Sequence, residues 1–133
     1  MEHAKKAAQS HMVRSCVLVS GLAVFFNCFG FPFYNLNKEW PLSLTAIYAL
    51  STPAFAVFTG GSLAVLFPRK RLHFIVLLSS AMTCGGLVCR FFLELGEVSN
   101  TYNFTLPNVI LHLLMFVGVC SVTWLHVVKQ SRN

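Results

Sequence analysis

The chain has 133 residues, of which 56% are hydrophobic and only 11% charged, against roughly 25% charged in an ordinary soluble domain. With a mean hydropathy of +0.67, this excludes a disordered chain, a disulfide-stapled secreted module and a soluble enzyme. It reads as one small all-α integral membrane domain over residues 1–133. The net charge of +6 sits at the ends of apolar runs, with no basic face and no interleaved aromatics. That excludes nucleic-acid binding and leaves membrane orientation as its role.

Residues 1–12 are a short polar, basic tail. The first apolar run, 13–34, is longer than the roughly 7–15 residues of a signal-peptide core, and no small-x-small site closes it before Phe31-Pro32. It predicts a retained helix. The second run, 42–67, opens at Trp40-Pro41, where Pro suits a first helical turn and Trp a membrane interface. Pro53 lies inside it and should bend or break the helix. A basic turn, Pro68-Arg69-Lys70-Arg71, separates it from the third run, 72–95. The fourth run, 107–128, begins at Pro107 and leaves a polar tail from Lys129.

Charge placement sets the expected orientation. Lys5, Lys6 and Arg14, then Arg69, Lys70 and Arg71, then Lys129 and Arg132 fall on one side; only Lys38 falls in a loop on the other. Positive loops stay cytosolic. The expectation is four transmembrane helices in two hairpins with both termini cytosolic. No internal repeat and no low-complexity segment is visible.

Few residues carry chemistry. The five cysteines, Cys16, Cys28, Cys84, Cys89 and Cys120, form no CxxC and read as small packing residues inside helices. Cys16, near the cytosolic face, is the position suited to palmitoylation. The histidines lack the i,i+4 or Glu-x-x-His spacing of a helical metal site. His112, about one turn inside the fourth helix, is placed to bond Asn27 or Thr83 on neighbouring helices. No nucleophile–base pair or phosphate loop occurs, so neither enzyme, cofactor nor metal is expected.

Arg90 and Glu94 form an i,i+4 pair on the third helix. Arg90 lies about 27 Å along it at about 1.5 Å per residue, so the pair belongs at the outer interface, as a snorkelling ion pair or a docking contact. Small residues stripe the second helix at Ala56, Gly60 and Ala64, with Gly61 beside them. Ala81 and Gly85, with Gly86 adjacent, repeat the spacing on the third. Small-x-x-x-small spacing lets helix backbones approach closely. Packing of the second helix on the third is the simple reading, and docking onto a partner's helix the alternative. Phe25, Phe26, Phe29, Phe31 and Phe33 cluster at the outer end of the first helix, as an aromatic belt or a helix-facing patch. The sequon Asn103-Phe104-Thr105 lies too close to Pro107, and hence to the bilayer, to be glycosylated.

Thr45, Ser51, Gly61-Ser62-Leu63, the basic turn and Arg90-Phe91-Phe92-Leu93-Glu94-Leu95 form a pattern over residues 42–97. It resembles the small auxiliary transmembrane subunit, called eta, of CatSper, the sperm-specific calcium channel complex. The resemblance implies a non-enzymatic subunit in the plasma membrane of the sperm flagellum, packed against other CatSper auxiliary subunits. Chain length and hairpin layout fit equally a small endoplasmic-reticulum scaffold, similar to the four-helix proteins that tether sterol-synthesis enzymes. The four-helix membrane enzymes of eicosanoid and glutathione metabolism need several helix arginines to hold an anionic cofactor, and here only Arg90 is present.

Overall fold

The structure is a computed structural model. It describes residues 2–30, 42–93, 95–96 and 104–133, with side chains throughout except at Ser20 and over 22–30 and 42–49. Four helices account for nearly all of it: α1 (Glu2–Gly30), α2 (Leu42–Leu66), α3 (Leu72–Leu93) and α4 (Leu106–Gln130).

α1 begins eleven residues earlier than its apolar run, so the expected polar tail is helical. Its sequence explains this. Ala, Lys, Glu and Gln are strong helix formers, Glu2 sits in the first turn where the helix dipole favours an acid, and Lys6 Nζ lies 3.4 Å from Glu2 across one turn. α2 runs through Pro53 as one continuous helix, so the proline does not break it. It stops before Pro68, which cannot continue it.

The α2–α3 turn is closed by Lys70 N–H donating to Phe67 O (3.4 Å) and Phe74 N–H to Arg71 O (3.0 Å). At the other end of α3, Leu95 N–H donates to Phe92 O (3.3 Å). Gly96 then turns the chain at φ +94°, a left-handed conformation that lacks steric penalty only for glycine. The ring of Phe104, just before α4, stands edge-on to Phe91 with centroids 5.2 Å apart. Thr105 precedes α4 in an extended conformation, with proline in the first turn.

α2 packs most extensively on α4 and α1 on α2; α3 packs on α4, and α1 touches α3 least of these. The helices therefore follow the ring order α1, α2, α4, α3, so two hairpins lie side by side. Although joined by a short turn, α2 and α3 meet mainly near it, where the rings of Phe67 and Phe74 stand edge-on at 5.3 Å. Every fourth residue of α4 from Asn108 to Val128 is buried, as is every fourth of α3 from Ile75 to Leu87. The apolar core joins Ala56, Leu63 and Ala64 of α2, Ile75 of α3, and Phe116, Cys120 and Trp124 of α4. Among the described residues, α3 and α4 are long and apolar enough to cross a membrane, and Leu50–Leu66 is a shorter apolar stretch.

Candidate functional site: helix faces and buried polar groups

The two small-residue stripes have different fates. On α2, Ala56, Gly60 and Ala64 are all buried. A Cβ added to Gly60 would collide with the carbonyl oxygen of Cys120, and would stand 2.9 Å from Thr123 Cβ. α2 therefore crosses α4 at backbone contact, and the expected partner of this stripe, α3, is not its partner. The pattern allows close approach but carries no address for the other helix. Gly61, one residue on, is half-buried, and a Cβ there meets nothing within 4 Å.

On α3, Ala81 and Gly85 are exposed and Gly86 is half-buried. A Cβ at Gly85 also meets nothing within 4 Å. The inward face of α3 is instead Ile75, Ser79, Thr83 and Leu87. Cys84 and Cys89 share the outward side, which corrects their expected role as packing residues, whereas Cys120 is buried and Cys16 half-buried.

The interior carries hydroxyls. Thr52, Thr59, Ser62, Ser79, Thr83, Asn108, His112 and Ser121 are all buried. Most of the hydroxyls are satisfied by their own helix one turn back. Thr59 donates to Phe55 O (2.9 Å), Ser62 to Phe58 O (2.9 Å), Ser79 to Ile75 O (2.8 Å) and Thr83 to Ser79 O (2.7 Å). Cys120 lies beside the Ser79 hydroxyl, so α2, α3 and α4 converge at Gly60, Ser79 and Cys120.

Near the start of α4 His112 is fully buried, with Arg90 of α3 close by. Arg90 is half-buried, so it belongs partly to the interior and not only to the surface expected for a snorkelling residue. The Thr83 hydroxyl has committed its proton to Ser79 O. His3, His11, His73 and His126 are exposed.

Several expectations lie outside the described residues: Glu94 and so the Arg90–Glu94 pair, Glu97, Asn103 of the sequon, Trp40-Pro41, Lys38, and the side chains of Asn27, Cys28, Thr45 and the Phe25–Phe33 cluster.

One grouping is not apparent from the sequence. The cations of the α2–α3 turn and those at the end of α4, 58 or more positions later, face one hollow. Trp124 Nε1–H donates to Phe67 O (3.3 Å) and Arg132 to Pro68 O (3.4 Å), tying α4 to the turn. The only advance signal was that both segments fall on the same expected side of the bilayer. Comparison with known proteins adds no relative: no family model, no curated protein and no solved structure matches the chain.

Proposed function

We propose that the chain is a four-span membrane protein with both termini cytosolic, and that it serves as a non-enzymatic auxiliary subunit of a multi-subunit cation channel complex. The complex is a CatSper-like calcium channel of the sperm flagellar plasma membrane, and the chain acts by docking its helices onto other subunits. The membrane part is supported by the distribution of polarity in the bundle, which keeps polar side chains inside beside the apolar core and large apolar ones outside. Its interior holds Thr52, Thr83, Asn108 and His112, while Leu77, Phe92, Leu114 and Val122 are exposed. Lipid tails accept such an exterior, and helices supply their own backbone hydrogen bonds there.

The observation that carries docking is the open face of α3, where Ala81 and Gly85 stand exposed with space above the glycine. A small-residue face left outside a bundle this small suits another helix at backbone distance. The channel identity rests on the resemblance of residues 42–97 to the eta subunit. Affinity capture from native membranes followed by mass spectrometry tests it. Recovery of channel subunits supports the reading. Recovery of lipid- or sterol-synthesis enzymes would replace it with the endoplasmic-reticulum scaffold. Tags at both termini should be protected from protease in intact cells; an accessible C-terminal tag would overturn the four-span arrangement.

A further inference from the structure

The α2–α3 turn and the end of α4 line a shallow hollow of about 800 Å³, more open than enclosed, a volume within the roughly 300–1,000 Å³ of small-ligand sites. Arg69, Lys70 and Arg71 line it from the turn, and Lys129 and Arg132 from α4, with no Asp or Glu among the lining residues. Glu2 is paired with Lys6 on α1. Like charges gathered around one space repel, and an anion placed between them turns that repulsion into attraction.

The site is held in shape. The indole N–H of Trp124, bonded to Phe67 O, and the guanidinium of Arg132, bonded to Pro68 O, fix α4 against the turn from two points. Lys70 is steadied over the ring of Phe74, 5.1 Å from its centroid. Leu72, the first residue of α3, borders the same space, so the positive end of the helix dipole adds to the side chains. Arginine forks match phosphate oxygens two at a time.

We propose that this hollow binds a multiply phosphorylated headgroup. The inference rests on the membrane reading of the fold but is independent of membership in a channel complex. A basic pocket between helix ends at the cytosolic face has the chemistry that recognises phosphoinositide headgroups.

The test uses the full chain in nanodiscs of neutral phosphatidylcholine, titrated with short-chain phosphatidylinositol bisphosphate, short-chain phosphatidylserine and soluble inositol trisphosphate. Failure of the chain to enter nanodiscs overturns the membrane reading and this inference together; entry without binding overturns this inference alone. Expected is tight binding of the bisphosphate lipid and weak binding of phosphatidylserine. Comparable binding of inositol trisphosphate also supports the site and assigns it to a soluble polyanion. Arg71→Gln/Lys129→Gln/Arg132→Gln should weaken binding roughly a hundredfold, at about fivefold per cation. Lys5→Gln/Lys6→Gln/Arg14→Gln, which removes equal charge from the exposed face of α1, should leave it within about threefold. Equal loss in both triple variants would mean diffuse surface charge and overturn the proposal. If the pocket triple variant fails to enter nanodiscs, Arg71→Gln and Arg132→Gln alone, each expected to lose about fivefold, decide it.

Discussion

Gly60 on α2 and Gly85 on α3 are the same residue in the same kind of stripe, yet they do opposite things. Gly60 is a contact: the backbone of α4 passes where its side chain would be. Gly85 is an opening: its helix turns hydroxyls and aliphatics inward at Ser79, Thr83 and Leu87, and leaves the small residues outside. The spacing states how close a neighbour can come and says nothing about whether the neighbour belongs to the same chain. That division sorts the consequences of mutation into folding on α2 and assembly on α3.

The largest effect should come from filling the contact. Gly60→Leu pushes a branched side chain into the Cys120 carbonyl and Thr123, and should destabilise the bundle by more than about 3 kcal/mol, the upper end of ordinary overpacking penalties. Thermal unfolding in detergent and the steady-state level of protein both report it. A variant as stable as wild type would mean that α2 and α4 do not cross there.

At the C-terminal end of α3 the sequence pair Arg90 and Glu94 extends the comparison. An exposed i,i+4 pair contributes only about 0.2–0.5 kcal/mol, whereas removing one member of a desolvated pair leaves the other uncompensated at roughly 3–5 kcal/mol. If this end of α3 docks, Glu94→Ala should lower partner recovery at least about tenfold, equivalent to about 1.4 kcal/mol, and Arg90→Lys should lower it less. Recovery is read after detergent extraction, normalised to expression. Undiminished recovery with Glu94→Ala would confine Glu94 to the interface with lipid and water.

Gly85→Leu isolates the open face. The residue is exposed and an added Cβ meets nothing within 4 Å, so the fold should not be destabilised, and the loss of a helical glycine should stabilise it by less than about 1 kcal/mol. Partner recovery should fall roughly fivefold, for about 1 kcal/mol of lost helix packing. Destabilisation without loss of partners would place Gly85 inside the fold. Unchanged recovery with an unchanged fold would leave the α3 face idle.

What the sequence made legible follows from which signals are local. The starts of α2 and α3 at Leu42 and Leu72 match their apolar runs because a proline or a basic turn stands immediately before each. The start of α1 does not match, because hydropathy locates apolar residues, while helix propensity and the Glu2–Lys6 pair carry the helix outward through polar ones. Pro53 did not break α2: in a packed apolar helix, neighbours and side chains can satisfy the groups a proline frees. Burial of the Ala56–Gly60–Ala64 stripe was readable, but its partner was not, since pairing is set by the whole bundle. The hollow at the turn joins segments far apart in sequence, and counting charges by side of the membrane could not bring them to one point.

The smallest effect gives the sharpest reading of the comparison, because it reverses sign between adjacent residues. Alanine is favoured over glycine in a helix by roughly 0.8–1.0 kcal/mol, through the entropy glycine loses on folding. At Gly61 the added methyl meets nothing within 4 Å, so the backbone gain is unopposed and Gly61→Ala should stabilise by about 0.4–1 kcal/mol. At Gly60 the same methyl meets a carbonyl oxygen and the Cβ of Thr123 at 2.9 Å. The helices must part or bend there, and an overpacking penalty of about 1–3 kcal/mol exceeds the gain. Gly60→Ala should therefore destabilise the protein. Unfolding midpoints of the two variants, compared with wild type in one detergent, should fall on opposite sides of it. Two shifts of the same sign would mean that α2 is rotated about its axis, and that Gly60 does not mark the crossing with α4.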